Sequence, residues 1–274
     1  MTTFIAELLA RCQSIPGKIA LARLDAEPVT YGNLYRHTSG AVAFLRSLGI
    51  KAGDAVVLAT TKNWGFIYGY LALHALGAVA VPLNPNSSES AVAHAREVSG
   101  AVTVFWPDAA HGQHDTSELD SVPPDDAAIA IAARPENLAD LMFTSGSTGE
   151  AKAVCITHAN IAASICNMNM FVGNTASDVE VNPMPLSHAF GMGRMRCTLA
   201  QGATMVAVDG MTRPKLLFQT ISDFHATGLC MVVAAWAMLC RLSGDRISVF
   251  KNQLRYFELG SAPLSKNEKI VAIQ

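Results

Sequence analysis

Apolar and polar positions alternate along this chain in two rhythms. Phe4, Ile5, Leu8, Leu9 and Cys12 fall at the spacing of one helix face and predict an opening helix over 3–13. After Pro16-Gly17, the runs 18–23 and 28–31 flank Asp25-Ala26-Glu27 and read as a small hairpin. Thr30 then caps a helix over 31–48, with Leu34, Ala41, Val42, Leu45 and Leu48 on its buried face and Gly49 at its end. From Asp54 the rhythm is strand 54–59, helix 63–76 closed by Gly77, strand 78–83, helix 88–98 closed by Gly100, and strand 101–106. Strand, helix and strand at this spacing predict right-handed βαβ units and a mostly parallel sheet.

Residues 107–138 break the rhythm with four prolines, many Asp, Ser and His residues and one apolar patch at 127–133, where a single strand is expected. His111 and His114 lie here without helical spacing, the pattern of a solvated loop rather than a metal site. Short apolar runs, 141–143 and 153–156, then bracket a Ser/Gly-rich stretch, and the alternation resumes. It continues as helix 159–170, strands 178–184 and 203–208, helix 214–225, strand 228–233, helix 234–242 and strand 255–259. The expected fold class is therefore α/β, stacked βαβ layers with mostly parallel sheets. The expected division is a subdomain 1–106, a connector 107–138 and a subdomain 139–274.

Composition narrows the function classes. Hydrophobic residues make up 50% of the 274 and charged ones 15%, the balance of a largely buried sheet. A net charge of −2 and the absence of a Lys/Arg stripe argue against a nucleic-acid partner. No apolar run approaches the ~20 residues of a membrane span, and the opening MTTFIAELLARCQ lacks a signal peptide's basic start, so a cytoplasmic location is expected. The six cysteines show no C-x-x-C pair and read as reduced core residues.

The densest chemistry lies in Thr144-Ser145-Gly146-Ser147-Thr148-Gly149-Glu150-Ala151-Lys152. Two glycines permit close backbone approach, four hydroxyls can bond phosphate oxygens, and Lys152 adds a cation. The Walker loop is the competing pattern, and the sequence misses it twice. Ala151 stands at its second glycine and Ala153 at its magnesium-binding hydroxyl.

The stretch instead resembles the T-S-G-S-T-G-x-P-K-G signature of the adenylate-forming family, which includes acyl- and aryl-CoA synthetases, luciferases and peptide-synthetase adenylation domains. It departs at Ala151 for Pro and Ala153 for Gly. Four further segments are similar to that family: Thr30-Tyr31-Gly32-Asn33-Leu34, His74-Ala75-Leu76-Gly77-Ala78-Val79-Ala80-Val81-Pro82-Leu83-Asn84, Pro185-Leu186-Ser187-His188-Ala189-Phe190-Gly191, and Gly260-Ser261-Ala262-Pro263-Leu264-Ser265. The resemblance implies the N-terminal portion of an adenylate-forming domain. It implies ATP contacts from Thr144, Ser145, Gly146, Ser147, Thr148, Gly149, Lys152, Gly260, Ser261, Ala262 and Pro263. His188 would be the gate between ATP and acid, acting in catalysis with Lys152, and Phe190, Gly191, Met192 and Gly260 would face the acid. The implied reaction activates a small carboxylic acid with Mg·ATP and passes it to CoA or to the thiol of an acyl carrier protein. The family's magnesium-binding Glu, ribose-binding Asp and adenylation lysine belong to segments expected beyond residue 274, so these residues alone are expected to be inactive. Between Leu186 and Gly193 no Asp pairs an ammonium group, which argues for an aryl or acyl acid over an α-amino acid.

Overall fold

The computed structural model describes residues 2–61, 63–107, 112–144, 151–209 and 213–263. Its helices and strands follow in the order α1 (Phe4–Ser14), β1 (Ile19–Arg23), β2 (Ala26–Thr30), α2 (Tyr31–Ser47), β3 (Ala55–Ala59), α3 (Gly65–Leu76), β4 (Val79–Leu83), α4 (Glu89–Ser99), β5 (Thr103–Trp106), β6 (His114–Asp115) and α5 (Ser117–Ser121). Then come β7 (Leu138–Phe143), β8 (Ala153–Thr157), α6 (His158–Val172), β9 (Val179–Asn182), α7 (Ala189–Gln201), β10 (Thr204–Ala207), α8 (Pro214–Asp223), β11 (Gly228–Val232), α9 (Val233–Ser243) and β12 (Tyr256–Gly260).

Two compact units result. The first comprises Met1–Gly17 and Tyr31–Ser164, the second Lys18–Thr30 and Ile165–Gln274. The first holds a sheet ordered β6-β5-β3-β4-β7-β8. Every residue of β3 and β4 is buried, as expected of central parallel strands covered on both faces. Only the β7–β8 pair in this sheet is antiparallel, with Phe143 opposite Ala153. Helix termini follow local chemistry: Ser88 Oγ accepts from the Ala91 N–H at the start of α4, and Gly100 ends that helix with φ of 63°.

The second unit holds a sheet ordered β12-β11-β9-β10-β1-β2. The N-terminal hairpin lies here and not with the residues that surround it in sequence, because β1 runs parallel to β10 with Leu21 opposite Met205. The β7–β8 pair likewise belongs to the first unit's sheet, although residue 139 was the expected start of the second subdomain. The core of the second unit gathers Val181, Leu217, Leu229, Met231, Trp236 and Leu239.

Three local differences from the predicted elements have physical causes. Residues 127–133 form no strand: they are mostly exposed and tie back to α3 through the Ala132 N–H and the Ala75 carbonyl, 2.8 Å apart. The short helix α5 appears instead, docked where Gly69 leaves room for Leu119 on α3. Helix α7 is absent from the predicted alternation because two glycines and two arginines interrupt its apolar periodicity.

Candidate functional site

In the first unit, β7 and β8 deliver the two ends of the hydroxyl-rich loop to one point. The Thr144 N–H donates to the Lys152 carbonyl at 3.0 Å, and the Lys152 N–H donates to Thr144 Oγ1 at 3.3 Å. The side chain of Lys152 is exposed. A residue without a predicted role completes this neck: His94 of α4 contacts the Ala151 carbonyl through Nε2 at 2.9 Å and meets the Phe143 ring edge-on. Ser145, Gly146, Ser147, Thr148 and Gly149 lie outside the described residues.

The second unit brings the other predicted residues to one sheet edge. The segment that carries His188 follows β9, and Ser261 to Pro263 follow β12, so both leave the C-terminal ends of parallel strands. Ligands of open α/β sheets bind at that edge. Asn182 organises the turn: its Oδ1 accepts from the Met184 N–H and its Nδ2 donates to the Gly191 carbonyl, each at 3.0 Å. Gly191 is required there, since a Cβ would sit 2.5 Å from the Pro185 carbonyl oxygen. His188 is exposed and sits at the N-cap of α7, but its side chain makes no capping bond, leaving the imidazole for other use. Beside it, Ser187 Oγ is buried without a hydrogen-bond partner.

Phe190 and Gly260 meet. A Cβ at position 260 would run into the Phe190 ring, so glycine here is what lets β12 approach α7. The next residue, Ser261, has φ of 73°, a strained turn out of the strand. Ala262 and Pro263 are exposed, whereas Met192 is fully buried and serves the packing of α7. Trp236 is core: it packs edge-on against Phe257.

Beneath Phe190 and Gly260 lies a charged cluster that linear reading misses. Side chains alternate between the faces of a sheet, and here Val181, Leu229, Met231, Phe257 and Leu259 pack into the apolar core. The other face presents Glu180, Cys230, Tyr256 and Glu258 toward Arg194 of α7. Arg194 is fully buried. Its Nε donates to Glu180 Oε1 at 3.1 Å, its Nη2 donates to Glu180 Oε2 and to Asn174 Oδ1, and its Nη1 lies 2.7 Å from Glu258 Oε2. Thr198 Oγ1 and the Tyr256 hydroxyl also donate to Glu180, at 3.2 and 2.5 Å.

Burial opposes the charge of Arg194, yet its bonds to Glu180 and the proximity of Glu258 hold its pKa above the usual value. Burial raises the carboxyl of Glu258 above its ordinary range; Arg194 pulls against that shift and Glu180 adds to it. The same burial pushes the Cys197 thiol up to about 12, so it is no nucleophile. The signal available in the sequence was charge at inward positions, Glu180 between two valines and Arg194 within a buried helix.

In the second unit, Ser187 offers an orphaned hydroxyl, His188 an imidazole without a capping bond and Gly260 a glycine cradle; in the first, the neck offers the Thr144 hydroxyl and the Lys152 ammonium group. Among the described residues no three His, Cys, Asp or Glu side chains come together to hold a metal ion. None of the described helices is long and apolar enough to cross a membrane.

Comparison with known proteins gives consistent results. The family pattern described as "AMP-binding enzyme" matches residues 8–269. A 4-coumarate–CoA ligase-like protein of Arabidopsis thaliana is 27% identical over 89% of this chain and 47% of its own length. A 2-succinylbenzoate–CoA ligase of Oceanobacillus iheyensis is 25% identical over 95% of this chain and 55% of its own length. The chain thus spans about half the length of the curated relatives it matches. Among solved structures, the N-terminal subdomain of Klebsiella oxytoca NpsA, in complex with 3-hydroxybenzoyl-AMSN, superposes with a TM-score of 0.88 at 21% identity, covering 100% of this chain and 70% of that one.

Proposed function

This chain belongs to the AMP-binding enzyme family, and from that premise we propose that it carries nucleotide- and acid-binding residues of an enzyme that activates a carboxylic acid with ATP. A carboxylate oxygen of the acid attacks the α-phosphorus, the bond to the leaving pyrophosphate breaks, and an acyl-adenylate forms. The sulfur of CoA, or of a carrier-protein thiol, then attacks the acyl carbon and AMP departs with its phosphate oxygen. One named relative is a CoA ligase and the other is described as CoA ligase-like, which supports a CoA acceptor.

The observation that carries this reading is the paired neck at Thr144 and Lys152, where two antiparallel strands bring the ends of the T-S-G-S-T-G stretch together. Lys152 and the loop hydroxyls neutralise and grip the phosphates, contacts that strengthen as pyrophosphate charge develops. Ser261 to Pro263 take the adenine side. His188 orients the acid's carboxylate beside the orphaned Ser187 hydroxyl, since an imidazole can polarise an acyl oxygen. Phe190 and Gly260 hold the body of the acid, whereas the space at Gly191 is taken up by the Pro185 carbonyl and Met184. Magnesium, when bound, supplies further neutralisation of phosphate charge.

An aryl or acyl acid fits this site better than an α-amino acid. Glu258 stands two residues, ~7 Å, along β12 from Gly260, too far along the strand to meet a group beside the reacting carboxylate. An ammonium group next to the reacting carboxylate would therefore be desolvated without a partner. The test is acid-dependent exchange of labelled pyrophosphate into ATP by the full-length protein across aryl, short-chain, medium-chain and α-amino acids. The expected result is exchange with aryl or acyl acids; the highest kcat/KM with an α-amino acid overturns the assignment.

A further inference from the structure

Resting on the acid-activating reading above, we propose that the charged row beneath Phe190 and Gly260 is a specificity subsite, in which Glu258 accepts a hydrogen bond from a hydroxyl or amino group carried by the acid far from its carboxyl.

Four observations carry this. First, the row is aimed at the acid. Glu258 and Gly260 are two apart on β12 and so share a face, and Gly260 touches Phe190 on that face. Arg194 lies one helical turn, four residues, beyond Phe190 on α7, so the same helix stripe runs from the acid-facing ring to the charges. Second, the charges do not balance. One guanidinium faces two carboxylates, Glu180 and Glu258, and a buried surplus of negative charge costs free energy until a donor or a proton joins it.

Third, the imbalance is localised at Glu258. Glu180 is fully buried and surrounded by donors from Arg194, Thr198 and Tyr256, whereas Glu258 keeps 17% of its side chain exposed. The 2.7 Å contact between Arg194 Nη1 and Glu258 Oε2 is an ion pair out of hydrogen-bond alignment, so each of these buried atoms retains an unused bond. Fourth, the space beside it is small-residue space. Cys230, a small side chain, is opposite Glu258 on the neighbouring strand, so no bulky side chain of β11 covers the carboxylate, while the room at Gly228 is taken by the Tyr256 ring. A network built only for stability has no reason to leave its outermost carboxylate half-satisfied at the acid-facing end, because an apolar pair there costs less.

A site built to bond a polar substituent rejects the analogue that lacks it, since the buried acceptor is then left unpaired. The experiment measures kcat/KM for pyrophosphate exchange by the full-length protein with paired acids. These are benzoate against its para-hydroxy and para-amino derivatives, and hexanoate against the same chain ending in a hydroxyl or an amine. For the wild type, at least one substituted acid is expected to exceed its parent by about tenfold or more. Glu258→Leu, which leaves Arg194 balanced by Glu180, is expected to bring that ratio down toward unity, chiefly through KM. Glu258→Gln, isosteric and uncharged, separates the occupants: an amine loses its advantage, a hydroxyl keeps part of it through the amide oxygen.

A wild-type ratio near unity for every pair overturns the subsite while the acid-activating reading stands, as does a ratio unmoved by both substitutions. No exchange with any acid overturns that reading itself. Should Glu258→Leu fail to fold, Glu258→Gln carries the same test, because it preserves shape and its amino-to-parent ratio must still fall.

Discussion

Replacing Arg194 with methionine removes the only cation that touches Glu180 in the described network. Arg194 and Glu180 are both fully buried, and the guanidinium supplies Glu180 with bonds to both carboxylate oxygens. Without it, Glu180 keeps the Tyr256 and Thr198 hydroxyls, and Glu258 loses its counter-charge. Breaking a buried pair by removing one partner costs roughly 3–5 kcal/mol, because the surviving charge stays out of water. In urea, at a slope of about 3 kcal/mol per molar, the midpoint should fall by about 1–2 M. Adding Glu180→Gln to Arg194→Met removes the orphaned charge and should recover most of that loss. Unfolding followed by far-UV circular dichroism for wild type, single and double variants gives the comparison. A single-variant loss below about 1 kcal/mol, or a double variant no better than the single, refutes the picture of a desolvated ion network under α7.

Three other outcomes follow from single contacts. Gly191→Ala places a Cβ 2.5 Å from the Pro185 carbonyl oxygen and should cost about 1–3 kcal/mol of stability, read from the same urea curves. His94→Leu removes the 2.9 Å contact to the Ala151 carbonyl, worth about 1 kcal/mol, and should raise KM for ATP by about fivefold in pyrophosphate exchange. Asp178 is raised by burial but held below its ordinary value of 3.8 by bonds from Arg255, Thr175 and Thr227. Its stabilising contribution is therefore present above the unfolded pKa and lost as pH falls through the folded one, so Arg255→Leu should flatten the acid limb of stability against pH.

Much of the fold was legible because it is local. Fully apolar runs such as 55–59 and 79–83 with glycine-closed helices between them leave little choice but parallel βαβ units. The neck at Thr144 and Lys152 was legible for the same reason, as two short apolar runs bracketing a turn-forming stretch. What escaped was long-range pairing. Nothing near Leu21 in the sequence indicates that its neighbour is Met205, and nothing near Glu180 indicates that Arg194 and Glu258 converge on one sheet face. The segment after Pro185 therefore holds no carboxylate of its own, although two lie beneath it on β9 and β12. Phe190 and Gly260 were each marked separately; their contact needs the parallel register that ends β9, β11 and β12 at a common edge.

The most direct test of the central claim is acid-dependent pyrophosphate exchange in the full-length protein, comparing wild type, Lys152→Ala, and Ser147→Ala combined with Thr148→Ala. Contacts to the departing pyrophosphate belong to the transition state, so both variants should lower kcat by about tenfold or more while changing the KM for the acid less. Exchange that no carboxylic acid stimulates, or wild-type kcat in both variants, would contradict it.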